Sequence, residues 1–475
     1  MNIQIKNLWK KNASEIIDIL SKREVSALEV LDSSLSRIEE INPRINAIVT
    51  LIKDEAKKNI IKKETDNADS YLKNMPILIK DLNDVKNMRT TYGSKLYSDY
   101  LPLNSDIIVD TIEKNGGIII GKTNTPEFGA GSHTYNKLFG LTKNPWNTSL
   151  SSGGSSGGSA AALATGMAWF ASGSDLGGSL RNPASWCGVV GLRPTPGLVP
   201  HGPSKFPFFN LSVDGPMARN VEDLSIFLDA MIDYNNKDPL SFRQKRYSYH
   251  KKLLDKKEKK FLVGFTEDFG IFPCDKEVRN MMKNTLKLVE NLGHEVSNTF
   301  PDMRKSEYCF QIIRAYMFYS NYKFLLEKDR SHIKKEVIWN IEKGKNISID
   351  DLISAEKIRG EIYNNTIEFF KKFDFLIVPS AIVPPFKSSD NWVKKVENTV
   401  FDNYVSWLMI AASVSLTGCP SIALATSFSR ENAPYGIQII TAPHKEQKLI
   451  NFAKSIEENI NISEMIPINV NNENF

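Results

Sequence analysis

The chain has 475 residues, of which 41% are hydrophobic and 24% charged, the balance of a globular protein with a sizeable core rather than of a disordered or fibrous chain. A net charge of +5 over that length requires neither a nucleic acid nor a membrane surface as partner. The four cysteines, Cys187, Cys274, Cys309 and Cys419, are widely separated with no C-x-x-C pair, which argues against a zinc site and a disulfide framework and fits a reducing cytoplasm.

The amino terminus, Met1 to Lys11, lacks the apolar run and cleavage site of a secretory signal. Helical apolar spacing predicts covering helices over 13–20 and 27–41, the second ending at Asn42-Pro43. A polar helix or connector is expected over 53–73. Then Pro76-Ile77-Leu78-Ile79-Lys80 reads as a buried strand that ends on a lysine. A helix over 106–115 leads into a second buried strand over 117–121, and this alternation argues α/β layering. The stretch Gly116 to Thr123 satisfies the phosphate-loop pattern G-x-x-x-x-G-K-T. Its middle is the strand Ile118-Ile119-Ile120 and Pro126 stands where the helix should run, so no nucleotide loop is expected.

Ser151 to Arg181 carries two Gly-Gly-Ser clusters, 153–155 and 177–179, with a small-residue helix signal and an apolar run between them. Paired glycines let backbone N–H groups approach a ligand beside a serine hydroxyl, the equipment of acyl transfer. Residues 153–157 also match the hydrolase elbow G-x-S-x-G, but Asn147 to Ser152 are too polar for the strand that an elbow needs. None of His201, His250, His294, His332 and His444 stands in a recognisable catalytic context.

Further on, a turn and short strand are expected over 186–194, a helix over 221–232, a strand over 261–265, a helix over 276–291 and extended chain over 294–300. The basic run from Lys237 to Lys260 reads as a solvated linker. Residues 303–373 are charged, helical and least informative. Late core strands are expected over 374–379 and 434–440, a closing helix over 445–459 and a frayed Asn-rich tail. Val405 to Phe428 carries no charge over a length that could span a bilayer, yet Thr417-Gly418-Cys419-Pro420 divides it into a helix and a buried strand.

Lys80 offers a base: burial disfavours the ammonium, so a desolvated lysine can approach the neutral form near pH 7. A structural lysine paired with Asp81 or Asp84 is the alternative, and the residues alone leave both open.

Three ordered motifs, Lys80 in Pro-Ile-Leu-Ile-Lys-Asp, Gly-Gly-Ser-Ser-Gly-Gly-Ser-Ala-Ala at 153–161 and Ser-Asp-Leu-Gly-Gly-Ser-Leu-Arg-Asn-Pro-Ala-Ser at 174–185, together resemble the amidase signature family. The likeness is dense over 75–231, recurs at 374–385 and 403–441, and is weak over 237–372. It implies an α/β fold in which a central mixed, twisted sheet is covered by helices on both faces. The whole of 1–475 would form one domain: covering helices over 1–73, a catalytic core over 75–231, a variable helical region over 237–372, the rest of the core over 374–460 and a tail over 461–475.

The resemblance also implies a Ser-cisSer-Lys triad, with Ser179 as nucleophile, Ser155 as bridging serine and Lys80 as base. Backbone N–H groups from Leu176, Gly177, Gly178 and Ser179 would form the oxyanion hole, and Gly129 would approach the substrate. No metal and no cofactor are implied. Leu176 stands where many relatives have threonine and Ser152 where they often have proline, neither replacing a catalytic side chain. Asp175 and Arg181 read as structural partners, and Cys187 as core.

The implied activity is hydrolysis of a small-molecule carboxylic amide in the cytoplasm, without direct contact to nucleic acid or membrane. A homodimer stays open. Gly131 to Tyr135 and Phe206 to Asn210 resemble free-standing amidases, and Phe206, Phe208 and Phe209 would suit an apolar acyl pocket. The alternatives are the glutaminase subunit of a tRNA-dependent amidotransferase, which alone would bring partner subunits, and a catalytically silent binder on the same fold.

Overall fold

The computed structural model describes residues 5–64, 70–243, 247–253 and 260–466. Lys245, Arg246, Lys256, Lys257 and Lys259 of the basic run lie outside them, as does most of the expected tail.

One eleven-stranded sheet gathers Ile48–Leu51 (β1), Pro76–Lys80 (β2), Ile118–Thr123 (β3), Phe170–Asp175 (β4), Val190–Arg193 (β5), Val213–Ala218 (β6), Leu262–Phe265 (β7), Glu295–Ser297 (β8), Phe375–Pro379 (β9), Ser421–Phe428 (β10) and Pro434–Ile440 (β11). Their order across the sheet is β1-β3-β2-β4-β6-β5-β10-β11-β9-β7-β8. Pairing is parallel for β3 with β2, β2 with β4, β9 with β7 and β7 with β8, and antiparallel elsewhere. The expected mixed α/β sheet is therefore present.

Successive strand side chains point to opposite faces, and the burial follows that rule. Ile77, Ile79, Ile119 and Phe170 join one apolar cluster, closed over by the helices Ile107–Lys114 and Val221–Met231. Leu78, Ile118, Ile120 and Ala171 join the other, closed over by Ala27–Ile45 and Gly157–Ala164. The same alternation puts Lys80 on the face of Leu78, beneath the amino-terminal end of Gly157–Ala164. That helix is made of Gly, Ser, Ala and Leu and is buried along its whole length. It sits tight on the sheet, with Ser159 Oγ 2.7 Å from Thr123 Oγ1 and donating to the Ser172 carbonyl at 2.8 Å.

Three expectations change. The second helix does not stop at Asn42-Pro43 but runs on to Ile45. Proline in the last turn forfeits only one helical bond, and Asn46, at φ 58°, closes the end by donating its N–H to the Asn42 carbonyl at 2.7 Å. Arg181–Cys187 is a short helix ahead of β5, where a turn was expected from Trp186. Phe208 is 76% exposed and so contributes nothing to an apolar pocket. Val405 to Phe428 divides as expected into a helix, Met409–Leu416, and β10. No helix among the described residues is long and apolar enough to cross a membrane.

Candidate active site

The site is built where β2 and β4 end. Lys80, the last residue of β2, is fully buried. Its Nζ donates to Ser155 Oγ at 2.7 Å, to Ser156 Oγ at 2.8 Å and to Ser174 Oγ at 3.0 Å. Asp81, the carboxylate that could have claimed it, turns away to Lys122 at 3.6 Å and accepts from Thr91. Lys80 forms no ion pair with Asp81 or Asp84 among the described residues, and three hydroxyls occupy its ammonium. Burial pushes that ammonium down to about 7, against the opposing pull of Asp214 and Asp175.

Ser155 follows a cis Gly154–Ser155 peptide bond and directly precedes the turn into Gly157–Ala164. Side chains fix the approach. Thr134 Oγ1 donates to the Gly153 carbonyl and Ser132 Oγ to the Gly154 carbonyl, both at 2.8 Å, while the Gly153 N–H donates to Ser151 Oγ at 3.0 Å. Gly129, at φ 69°, lies against Ser155: a Cβ built there would stand 3.5 Å from Ser155 Oγ.

The second Gly-Gly-Ser cluster follows β4. Its shape is set by Asp175, whose Oδ1 accepts the Gly178 N–H at 2.9 Å and whose Oδ2 accepts the Leu180 N–H at 3.1 Å. Arg181 binds the same carboxylate through two nitrogens, at 3.0 and 2.9 Å, and Arg193 reaches it at 3.4 Å. Burial alone would raise the Asp175 carboxyl, but Arg181, Arg193 and the Gly178 N–H outweigh it and hold the group well below the usual carboxylate range. The Ser156 N–H donates to the Ser179 carbonyl at 3.2 Å, which ties the two serine clusters together.

Both clusters open into one cavity of about 400 Å³, lined by Ser155, Ser174, Leu176, Gly177, Ser179 and Gly129 among others. Gly178 is not on its wall. Phe206 and Phe209 contribute to the apolar side. Cys187 is buried, donates to the Ser152 carbonyl at 3.4 Å and has its thiol pushed up by burial, so it stays a protonated core residue.

The two serine clusters thus share one cavity, with the buried Lys80 bonded to Ser155 and Ser174 on its wall. A family model described as Amidase matches residues 29–450. The chain belongs to the amidase signature family. It is 32% identical to a glutamyl-tRNA(Gln) amidotransferase subunit from Thermoanaerobacter pseudethanolicus, over 95% of this chain and 96% of that one. It is 30% identical to an acylamidase of Rhodococcus erythropolis, again over 95% and 96%. Among solved structures it superposes on a bacterial aryl acylamidase with a TM-score of 0.88 at 24% identity, covering 96% of this chain and 99% of that one. A 6-aminohexanoate cyclic dimer hydrolase gives 0.87 at 22% identity, covering 98% and 99%. Family membership makes this chain an enzyme of amide chemistry, and the two superpositions show the amidase-signature fold.

The amidase site holds more than its motifs announced. Ser156 and Ser174 bind Lys80 alongside Ser155, and strand alternation from Ser172 was the available signal for Ser174. His201, one histidine among five without a recognisable context, lines the cavity with Nδ1 2.6 Å from Asp214. Asp214 pushes the imidazole up to about 9. Asp84 and Asp106 line the same side. Asp84 accepts from Tyr92 Oη at 2.6 Å, while burial, with Asp84 and Asp214 close by, pushes the Asp106 carboxyl up to about 7.

Proposed function

We propose that this chain hydrolyses a carboxylic amide to a carboxylate and ammonia or an amine, through an acyl-enzyme on Ser179. The observation that carries the proposal is a buried lysine, its ammonium pushed down to about 7, bonded to Ser155 and Ser174 on the wall of a cavity of about 400 Å³. Neutral Lys80 accepts the proton of Ser155 as Ser155 accepts that of Ser179. The Ser179 oxygen then forms a bond to the amide carbon, and the carbonyl oxygen takes the negative charge. Collapse breaks the C–N bond, the relay returns a proton to the leaving nitrogen, and water attacks the ester by the same route to restore Ser179.

An oxyanion needs N–H donors that are not already spent. Gly178 is bonded to Asp175, which leaves Leu176, Gly177 and Ser179 for that role, with Gly129 against the substrate. The sheet that runs from Ile48 to Ile440 supports reading the chain as one catalytic domain, and the acylamidase relative supports free-standing hydrolysis.

The 32% identity to an amidotransferase subunit over nearly the whole chain favours a second reading, a glutaminase that passes ammonia to partner subunits working on misacylated tRNA. Hydrolysis by the purified chain alone supports the first reading. Turnover only with partners, glutamine and a tRNA product supports the second. A fluorophosphonate probe tests the chemistry common to both: the adduct is expected on Ser179, and mass spectrometry locating it on another residue rejects the assignment. Turnover that survives Ser179→Ala would leave only a silent binder with a contaminating activity.

A further inference from the structure

The helix Ser306–Tyr322 turns an arginine inward. Arg314 is 5% exposed and lines the cavity that holds Ser155 and Ser179. One terminal nitrogen, Nη2, donates to Tyr404 Oη at 2.6 Å. The other, Nη1, is buried and has no hydrogen-bond partner among the described residues. The guanidinium stacks on Phe318, 4.4 Å from the ring centroid, and within the described residues no carboxylate lies at ion-pairing distance from it.

A buried cation without a counter-ion is expensive, and a buried N–H without an acceptor adds to the cost. Other buried cations are partnered: Arg181 and Arg193 share Asp175, Lys122 faces Asp81, Lys80 is held by serine hydroxyls, and Arg219 and Lys334 donate to backbone carbonyls. The carboxylates that line the cavity are committed on their own side. Asp214 is bound to His201, Asp84 to Tyr92, and Asp106 accepts from the Asn83 side chain and the Asp84 N–H. None of them serves Arg314.

We infer that Arg314 is a specificity residue whose guanidinium, with one nitrogen unspent, binds a carboxylate on the substrate, so that the amide hydrolysed here is an acidic one. This rests on the amide chemistry proposed above. Planar guanidinium recognises a carboxylate through charge-assisted bonds, and stacking on Phe318 holds the plane in place before the ligand arrives. An anion entering the cavity therefore finds a partner already desolvated.

The test uses two matched pairs, succinanilic acid against its methyl ester and 4-acetamidobenzoate against its methyl ester, with amine release as the readout. They place the charge on the acyl side and on the leaving side respectively. In at least one pair wild-type kcat/KM is expected to favour the acid by about tenfold or more. Arg314→Gln should bring that ratio close to one, mainly through KM. Arg314→Lys, which keeps the charge without the fork, should retain part of it. A wild-type ratio of one or below in both pairs overturns the inference, whether or not the variants fold. So does a ratio unchanged in both variants.

Should none of these anilides be turned over, Arg314 is decided by binding instead. Calorimetry of the two acids with Ser179→Ala and with Ser179→Ala/Arg314→Gln should show binding weakened about tenfold by the second substitution. Equal affinity, or no binding of either acid, overturns the inference.

Discussion

Lys80 Nζ stands 2.7 Å from Ser155 Oγ, with both groups buried. An amine poised near 7 is competent as a base only when neutral. Labelling of Ser179 by a fluorophosphonate should therefore accelerate about tenfold per pH unit below about 7 and level off above it. Stopped-flow labelling between about pH 5 and pH 9 measures this. A flat profile across that range rules out Lys80 as the base, and Lys80→Ala should abolish the labelling at neutral pH.

The same buried lysine has a signature in stability. Its folded pKa lies below the value of about 10.4 for a free lysine, so between the two the unfolded chain binds more protons and folding becomes more favourable as pH rises. Below about 7 the penalty is constant. Lys80→Met removes the titrating group, and its stability advantage over wild type should shrink between about pH 7 and 10 by up to about 1.4 kcal/mol per unit. Urea unfolding of both proteins across that range checks the sign; an advantage that grows with pH contradicts the assignment.

Asp175 is a different kind of buried charge, one held by two guanidinium groups and two backbone N–H groups. Asp175→Ala leaves Arg181 and Arg193 without their common partner, and a loss of about 3–5 kcal/mol is expected. Because the folded carboxyl lies below its unfolded value, this stabilisation is present at neutral pH and fades as pH falls below the usual carboxylate range. Denaturant midpoints of wild type and variant should differ at neutral pH and draw together as pH falls into the acid range.

Gly178 adopts φ 112°, and a Cβ there would stand 2.6 Å from the Asn182 side-chain amide and 2.7 Å from Ala411. Gly178→Ala should cost about 1–3 kcal/mol of stability and shift the neighbouring Ser179 out of line, so that kcat falls while KM changes little. Equal kcat in variant and wild type would show that the loop tolerates a side chain at this place.

Lys80 and the two serine clusters were legible in the sequence because their physics is local. An apolar strand ending in lysine and two Gly-Gly-Ser clusters keep their meaning within a few residues, and the structure brings Lys80 and Ser155 into contact and opens Ser155 and Ser179 into one cavity. What escaped depends on residues far apart in the chain. The Gly178 N–H looks free until Asp175 is seen to turn back on it. His201 gains its context only from Asp214 across a loop. Arg314 lies in the stretch that was least informative as sequence, and the cavity it lines is built mostly from residues 82–214.

Arg181 does more than neutralise Asp175: it also donates to the Ala411 carbonyl at 2.9 Å, to Ser415 Oγ at 2.7 Å and to the Gln438 side chain. The turn bearing Ser179 is thus anchored by residues more than two hundred positions downstream. During synthesis Lys80, Ser155 and Ser179 leave the ribosome long before those anchors do. A nascent chain halted ahead of Gln438 carries Lys80, Ser155 and Ser179 but lacks a side chain to which Arg181 is bonded, so the Ser179 turn gains its full anchorage only when the last strands have joined the sheet.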